Sequence, residues 1–154
     1  MRTDAAKRSK KAGLPPGTLL HVGERRAEQV KVSVIEYDKG WFTAKGITAP
    51  WLSLESKRKP AVRWIDVEGL HQVDIIRNLG TRYSIHPLVQ EDILQTAQRP
   101  KIENYGDHIF IVLKMLRYDR KMRAVESEQV SIVLRKNTVI TFQEGIEGDV
   151  FDSI

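Results

Sequence analysis

The chain has 154 residues, 41% of them hydrophobic and 29% charged, which suits one globular domain with a core and excludes intrinsic disorder. Cysteine is absent, so disulfides, thiolate metal sites and cysteine nucleophiles are excluded. The formal charge of +5 resides in residues 1–31, which hold eight Lys or Arg against three acids, while 17 bases and 17 acids cancel over the rest; a neutral body with a basic arm lacks the electrostatic footprint of a dedicated DNA binder.

Residues 1–13, with Lys7-Arg8-Ser9-Lys10-Lys11, read as a flexible basic arm, and residues 14–154 as the folded domain. Leu14-Pro15-Pro16-Gly17 is a stiff turn. Val30 to Ile35 alternates with period two and is rich in β-branched residues, which predicts a strand. Asp38-Lys39-Gly40 predicts a turn, Trp41 to Ala44 a second strand, and Pro50 to Glu55 a short helix. Val62 to Val67 alternates again and forms a third strand, ended by Gly69.

Val73, Ile76, Leu79 and Tyr83 recur at helical spacing, with Asn78 or Gly80 as a candidate interruption near the end. A helix then starts at Pro87, with Leu88, Val89, Ile93 and Leu94 as its apolar stripe, and Arg99-Pro100 breaks it. His108 to Leu116 is apolar at nearly every position and predicts a strand buried on both faces. Asp119 to Arg123 is a charged turn. Glu128 to Leu134 and Thr138 to Phe142 complete an antiparallel meander, with Asn137 as a left-handed turn residue. The fold class is α/β: a mixed sheet with a C-terminal antiparallel meander and helices packed on it.

The longest apolar run, Ile109 to Leu113, is far short of the roughly 20 residues of a spanning helix, and the polar N-terminus carries no secretory signal. The chain reads as soluble. Asp149, Val150 and Phe151 look like the opening of another helix, as in a truncated domain.

The common phosphate-binding glycine loops and the nucleophile elbow are missing from the sequence. His86 reads as a helix-start residue rather than a ligand, and none of the four histidines forms a close pair. Asp66 and Glu68 share one strand face and are either edge charges or an acid–base pair; an enzyme built on them is the weakest reading. Trp41, Phe42, Trp51 and Trp64 lie beside Lys39, Lys45 and Arg63, which superficially suits a single-strand nucleic-acid surface, but core packing accounts for them better.

Ile85-His86-Pro87-Leu88-Val89-Gln90-Glu91-Asp92-Ile93-Leu94 carries the chemistry. Glu91 and Asp92 sit mid-helix with no base at the helical offsets of three or four, so they read as unneutralised carboxylates. They form either a solvated helix face or a ligand set for a hard divalent cation such as Mg²⁺.

Several segments in order resemble the CorA family of divalent-cation transporters. They are Leu14 to Thr18, Trp64 to His71, Ile85 to Leu94, Arg99 to Glu103 with Tyr105, Phe110 to Met115, Glu126 to Ser131, and Gln143-Glu144 to Asp152. The likeness runs from about residue 12 to the end. It implies an α/β/α sandwich, the cytoplasmic N-terminal domain of a homopentameric Mg²⁺ channel, preceding a stalk and two transmembrane helices that this sequence lacks. It further implies that Asp92 and, for a second adjacent site, Glu91 are metal ligands for regulatory Mg²⁺, with Co²⁺ or another divalent ion as a substitute, at subunit interfaces. Their partners are acidic residues of a neighbouring stalk. The membrane is reached only through the missing part, and no nucleic acid is involved. The competing readings are the same domain of a Zn²⁺-transporting relative and a stand-alone nucleic-acid-binding α/β domain.

Overall fold

The computed structural model describes residues 13–47 and 59–146. The basic arm up to residue 12, the short helix expected at Pro50–Glu55, Trp51 and the expected C-terminal helix start lie outside the described residues.

Seven strands form one mixed sheet: β1 (Lys31–Tyr37), β2 (Phe42–Gly46), β3 (Val62–Glu68), β4 (Lys101–Asn104), β5 (Ile109–Asp119), β6 (Ala124–Leu134) and β7 (Thr138–Gln143). Their spatial order is β2-β1-β3-β7-β6-β5-β4. Among the described strands only β3 and β7 pair in parallel, with Ile65 opposite Ile140 and Val67 opposite Phe142. Helices α1 (Val73–Arg82) and α2 (Pro87–Leu94) fill the connection from β3 to β4. The α/β class, the mixed sheet and its terminal meander are as expected.

Alternation places Val32 and Val34 of β1, Ile65 and Val67 of β3, Ile140 and Phe142 of β7, Val133 of β6, and Phe110 and Val112 of β5 on one face. Ile75, Ile76 and Leu79 of α1 and Val89, Ile93 and Leu94 of α2 complete the same core. Both described helices therefore cover one face. On the other, Trp64 Nε1 donates to Thr141 Oγ1 at 2.8 Å, Thr141 Oγ1 donates to Asp66, and Gln143 Nε2 donates to Asp66 at 3.1 Å. Asp66 is thus a buried, hydrogen-bonded carboxylate and not an edge charge. Glu68, at the strand end, pairs with Lys31 at 3.2 Å.

Several local expectations are corrected. Gly80 does not interrupt α1, which continues to Arg82. Leu88 is 44% exposed, because α2 buries Val89, Gln90, Ile93 and Leu94, and Leu88 falls on the outer flank. Strand β5 is buried on one face only: Phe110 and Val112 are buried, whereas Ile109 and Leu113 on the opposite face are exposed. Asn137 is not left-handed; its side chain instead donates to Ala61 O at 2.6 Å, joining the β6–β7 turn to the start of β3. Phe42 is exposed rather than core, and Trp41 and Trp64 are half-buried. Strand β4 was not expected, since Lys-Ile-Glu-Asn is short and polar, as befits a sheet edge.

Beyond residue 112 in β5 and before residue 130 in β6, these two strands pair only with each other among the described residues, forming a two-stranded arm. Leu116, Tyr118 and Val125 on one of its faces are exposed.

Candidate metal centre

Helix α2 is fixed at its start by its own sequence. His86 has extended backbone and its Nδ1 accepts from Leu88 N at 3.2 Å, while Pro87 occupies the first turn without wasting a donor. His86 is therefore a capping residue, as expected. Gln90 anchors the helix inward: it is buried and its Nε2 donates to Ile85 O at 2.8 Å. With Val89, Gln90, Ile93 and Leu94 turned inward, the outer flank carries Leu88, Glu91, Asp92 and Gln95, as the helical repeat requires.

The structure directs Glu91 and Asp92 to different partners. Glu91 Oε2 accepts from the backbone amide of Gly17 at 2.5 Å, which ties the Leu14–Thr18 turn to α2. Gly17 adopts φ +80°, and a Cβ there would lie 3.2 Å from the Pro87 Cβ, so the close approach needs glycine. The lead-in continues along the helix end, where Val22 N donates to Leu94 O at 3.0 Å and Val22 bridges Gln95.

Asp92 is not unneutralised. Its Oδ2 lies 2.7 Å from Lys101 Nζ, and its Oδ1 accepts from Gln98 Nε2 at 2.6 Å. Lys101 also reaches Glu103 at 2.9 Å, so one ammonium bridges two carboxylates. Burial disfavours the charged Lys101, but hydrogen bonds to Asp92 and Glu103 outweigh it and hold the ammonium above its ordinary pKa. The same hydrogen bond from Lys101 holds Glu103 below the usual carboxylate value. Lys101 lies nine residues beyond Asp92 on a different element, out of reach of any search at helical offsets. Asp92 nonetheless keeps 21% of its side chain exposed.

Glu91 and Asp92 offer hard oxygen donors on a rigid helix, which fits a divalent cation of the Mg²⁺ type that retains several waters. Among the described residues, no three His, Asp or Glu side chains converge as a metal-holding group. A second polar cluster was missed in the sequence. Asp107 contacts His108 Nδ1 at 2.6 Å and Arg135 at 2.9 Å, and the Tyr105 ring stacks on His108 at 5.0 Å and on His86 at 6.0 Å. Tyr105, Asp107 and His108 lie together in the β4–β5 connection, but Arg135 and His86 come from two other connecting segments that no sequence spacing links to it.

Among the described residues, no helix is long and apolar enough to cross a membrane. The family model "CorA-like Mg2+ transporter protein" matches residues 59–148. The "Cobalt/magnesium transport protein CorA" of Thermotoga maritima is 44% identical over 146 residues, covering 95% of this chain but 41% of that protein. The chain thus spans less than half the length of this curated relative. Among solved structures, the complete CorA magnesium transporter from Methanocaldococcus jannaschii superposes with a TM-score of 0.51 at 14% identity, over 72% of this chain and 31% of that one. The ZntB cytoplasmic domain from Vibrio parahaemolyticus gives 0.54 at 14% identity, over 75% and 44%. At these identities the structures share the fold alone; the matched model, over more than half of the chain, carries the assignment, and the chain belongs to the CorA-like Mg²⁺ transporter family.

Proposed function

We propose that this chain is the cytoplasmic sensing domain of a homopentameric divalent-cation channel for Mg²⁺, with cobalt and nickel ions as further cargo. In this reading Asp92 is its share of one regulatory cation seat between neighbouring subunits, and Glu91 its share of a second, adjacent one, since neighbouring residues on a helix point about 100° apart. The observation that carries the reading is the outer flank of α2. In a member of this transporter family, two carboxylates stand side by side on a helix whose other face is locked into the core.

The physical sequence of events is short. Carboxylates facing each other across a subunit boundary repel, and more strongly where water is partly excluded. Asp92 and Glu91 would hold hydrated divalent ions at that boundary, and the ions' charge would offset the repulsion and favour the closed ring. Loss of the ion returns the repulsion and loosens the boundary. Stalk and transmembrane helices, which this sequence does not contain, complete the seat and the pore.

The test is transport by the full-length channel with Asp92→Ala and Glu91→Ala under varied internal Mg²⁺. Weakened inhibition by internal Mg²⁺ is expected; unchanged inhibition removes both residues from the role. The likeness to the ZntB cytoplasmic domain supports a Zn²⁺-transporting relative only through shared fold, whereas the 44% identical relative is named for cobalt and magnesium.

A further inference from the structure

We propose that Lys101 is a tethered competitor for the divalent cation at Asp92, and that Glu103 is the carboxylate on which the displaced ammonium parks. The inference rests on the reading of Asp92 as a cation ligand and adds what sets that ligand's affinity. One Nζ stands 2.7 Å from Asp92 and 2.9 Å from Glu103, so the position where a cation would meet Asp92 already holds one.

An arriving ion must take Asp92 from this ammonium. The exchange is not forbiddingly costly, because Lys101 keeps a counter-charge on the far side. Glu103, on the same strand, is 38% exposed and its other oxygen accepts from the Tyr105 hydroxyl at 3.2 Å, so it stays held beside Lys101 when the ammonium leaves Asp92. Gln98 Nε2, on Asp92 Oδ1, leaves Oδ2 as the oxygen over which lysine and ion compete. A flexible four-carbon stem suits such an exchange better than the fixed fork of an arginine. Lys101 thus weakens the seat, and Glu103 strengthens it by drawing Lys101 away. The two residues act in opposite directions on one equilibrium.

The experiment is Mn²⁺ titration of this chain, read by paramagnetic broadening of the α2 and β4 amide resonances, a readout that registers weak binding. Lys101→Gln is expected to lower the Mn²⁺ concentration at half-broadening by about fivefold, in line with the modest strength of a partly exposed ion pair. Lys101→Arg keeps the charge and should leave the midpoint at or above wild type. Glu103→Gln should raise it, because Lys101 then rests on Asp92 alone. An unchanged midpoint in Lys101→Gln, with broadening still abolished by Asp92→Asn, overturns the competitor role and leaves the ligand reading standing. Broadening that survives Asp92→Asn overturns the ligand reading itself. No broadening in any variant, Lys101→Gln included, overturns the proposal too, since an uncovered Asp92 then attracts no ion. Amide dispersion in the same spectra reports that each variant is folded.

Discussion

Gly80 of α1 lies so close to Gln90 of α2 that a Cβ at residue 80 would stand 2.2 Å from the Gln90 side-chain amide. The amide cannot simply swing away, since it is buried and bonded to Ile85 O. Gly80→Ala is therefore expected to destabilise the fold by about 1–3 kcal/mol despite the better helix propensity of alanine. Urea denaturation measures it, and a midpoint equal to wild type would show that the helices have slack at this crossing.

Gly17 sets the second prediction. Its left-handed backbone and its proximity to Pro87 both oppose a side chain, and its amide holds Glu91. Gly17→Ala should cost about 1 kcal/mol of stability, and it should speed amide exchange at Val22, where the lead-in meets the end of α2. Unaltered exchange at Val22 would mean that the two contacts of the lead-in are independent.

The Lys101 bridge predicts a pH response at both ends. Glu103 has a folded pKa below its usual 4.5, caused first by the hydrogen bond from Lys101, so its contribution is present above that value and fades as pH falls through the lower, folded one. Lys101 has a folded pKa above 10.5, because its carboxylate partners outweigh burial. Its contribution is complete below that value and fades as pH rises through the higher, folded one. Between these limits the bridge is intact. The Glu103 carboxyl carbon, followed by NMR, should titrate below 4.5 in wild type and return toward it in Lys101→Gln. Identical titration curves would refute the assigned cause.

The two-stranded arm yields a prediction about motion. Residues 113–119 and 124–129 lack the flanking partners that β4 and β7 give to the rest of β5 and β6. A lone ribbon is marginal in water, so its amides near Arg117 and Glu126 should exchange well before those of Val112 and Val133. Mass-spectrometric hydrogen exchange resolves the two groups. Leu116→Lys and Val125→Lys, at exposed sites, should change stability by no more than about 0.5 kcal/mol.

Six of the seven strands and both helices among the described residues were legible because period-two and helical apolar patterns report burial directly. Val32 and Val34 alternate, and Ile76 and Leu79 recur, since one face of each element meets the core. Strand β4 escaped because its stability comes from pairing with β5, and Ile102, its one large apolar residue, points to solvent at 71% exposure. At the candidate site, Glu91 and Asp92 were readable as a pair on a helix. Their partners were not: Gly17 precedes Glu91 by 74 residues, and Lys101 reaches Asp92 from a neighbouring strand. Gly80 was misread for a related reason, because its role lies in the gap it leaves for Gln90 rather than in its own helix propensity.

The parallel pairing of β3 with β7 governs how the molecule comes into being on the ribosome. Ile65 and Val67 emerge early, yet their neighbours Ile140 and Phe142 are translated some seventy-five residues later. Until then β3 lacks the lateral partner that joins the first three strands to the rest of the sheet. Closure of this sheet therefore rests on contacts distant in sequence, which favours slow folding.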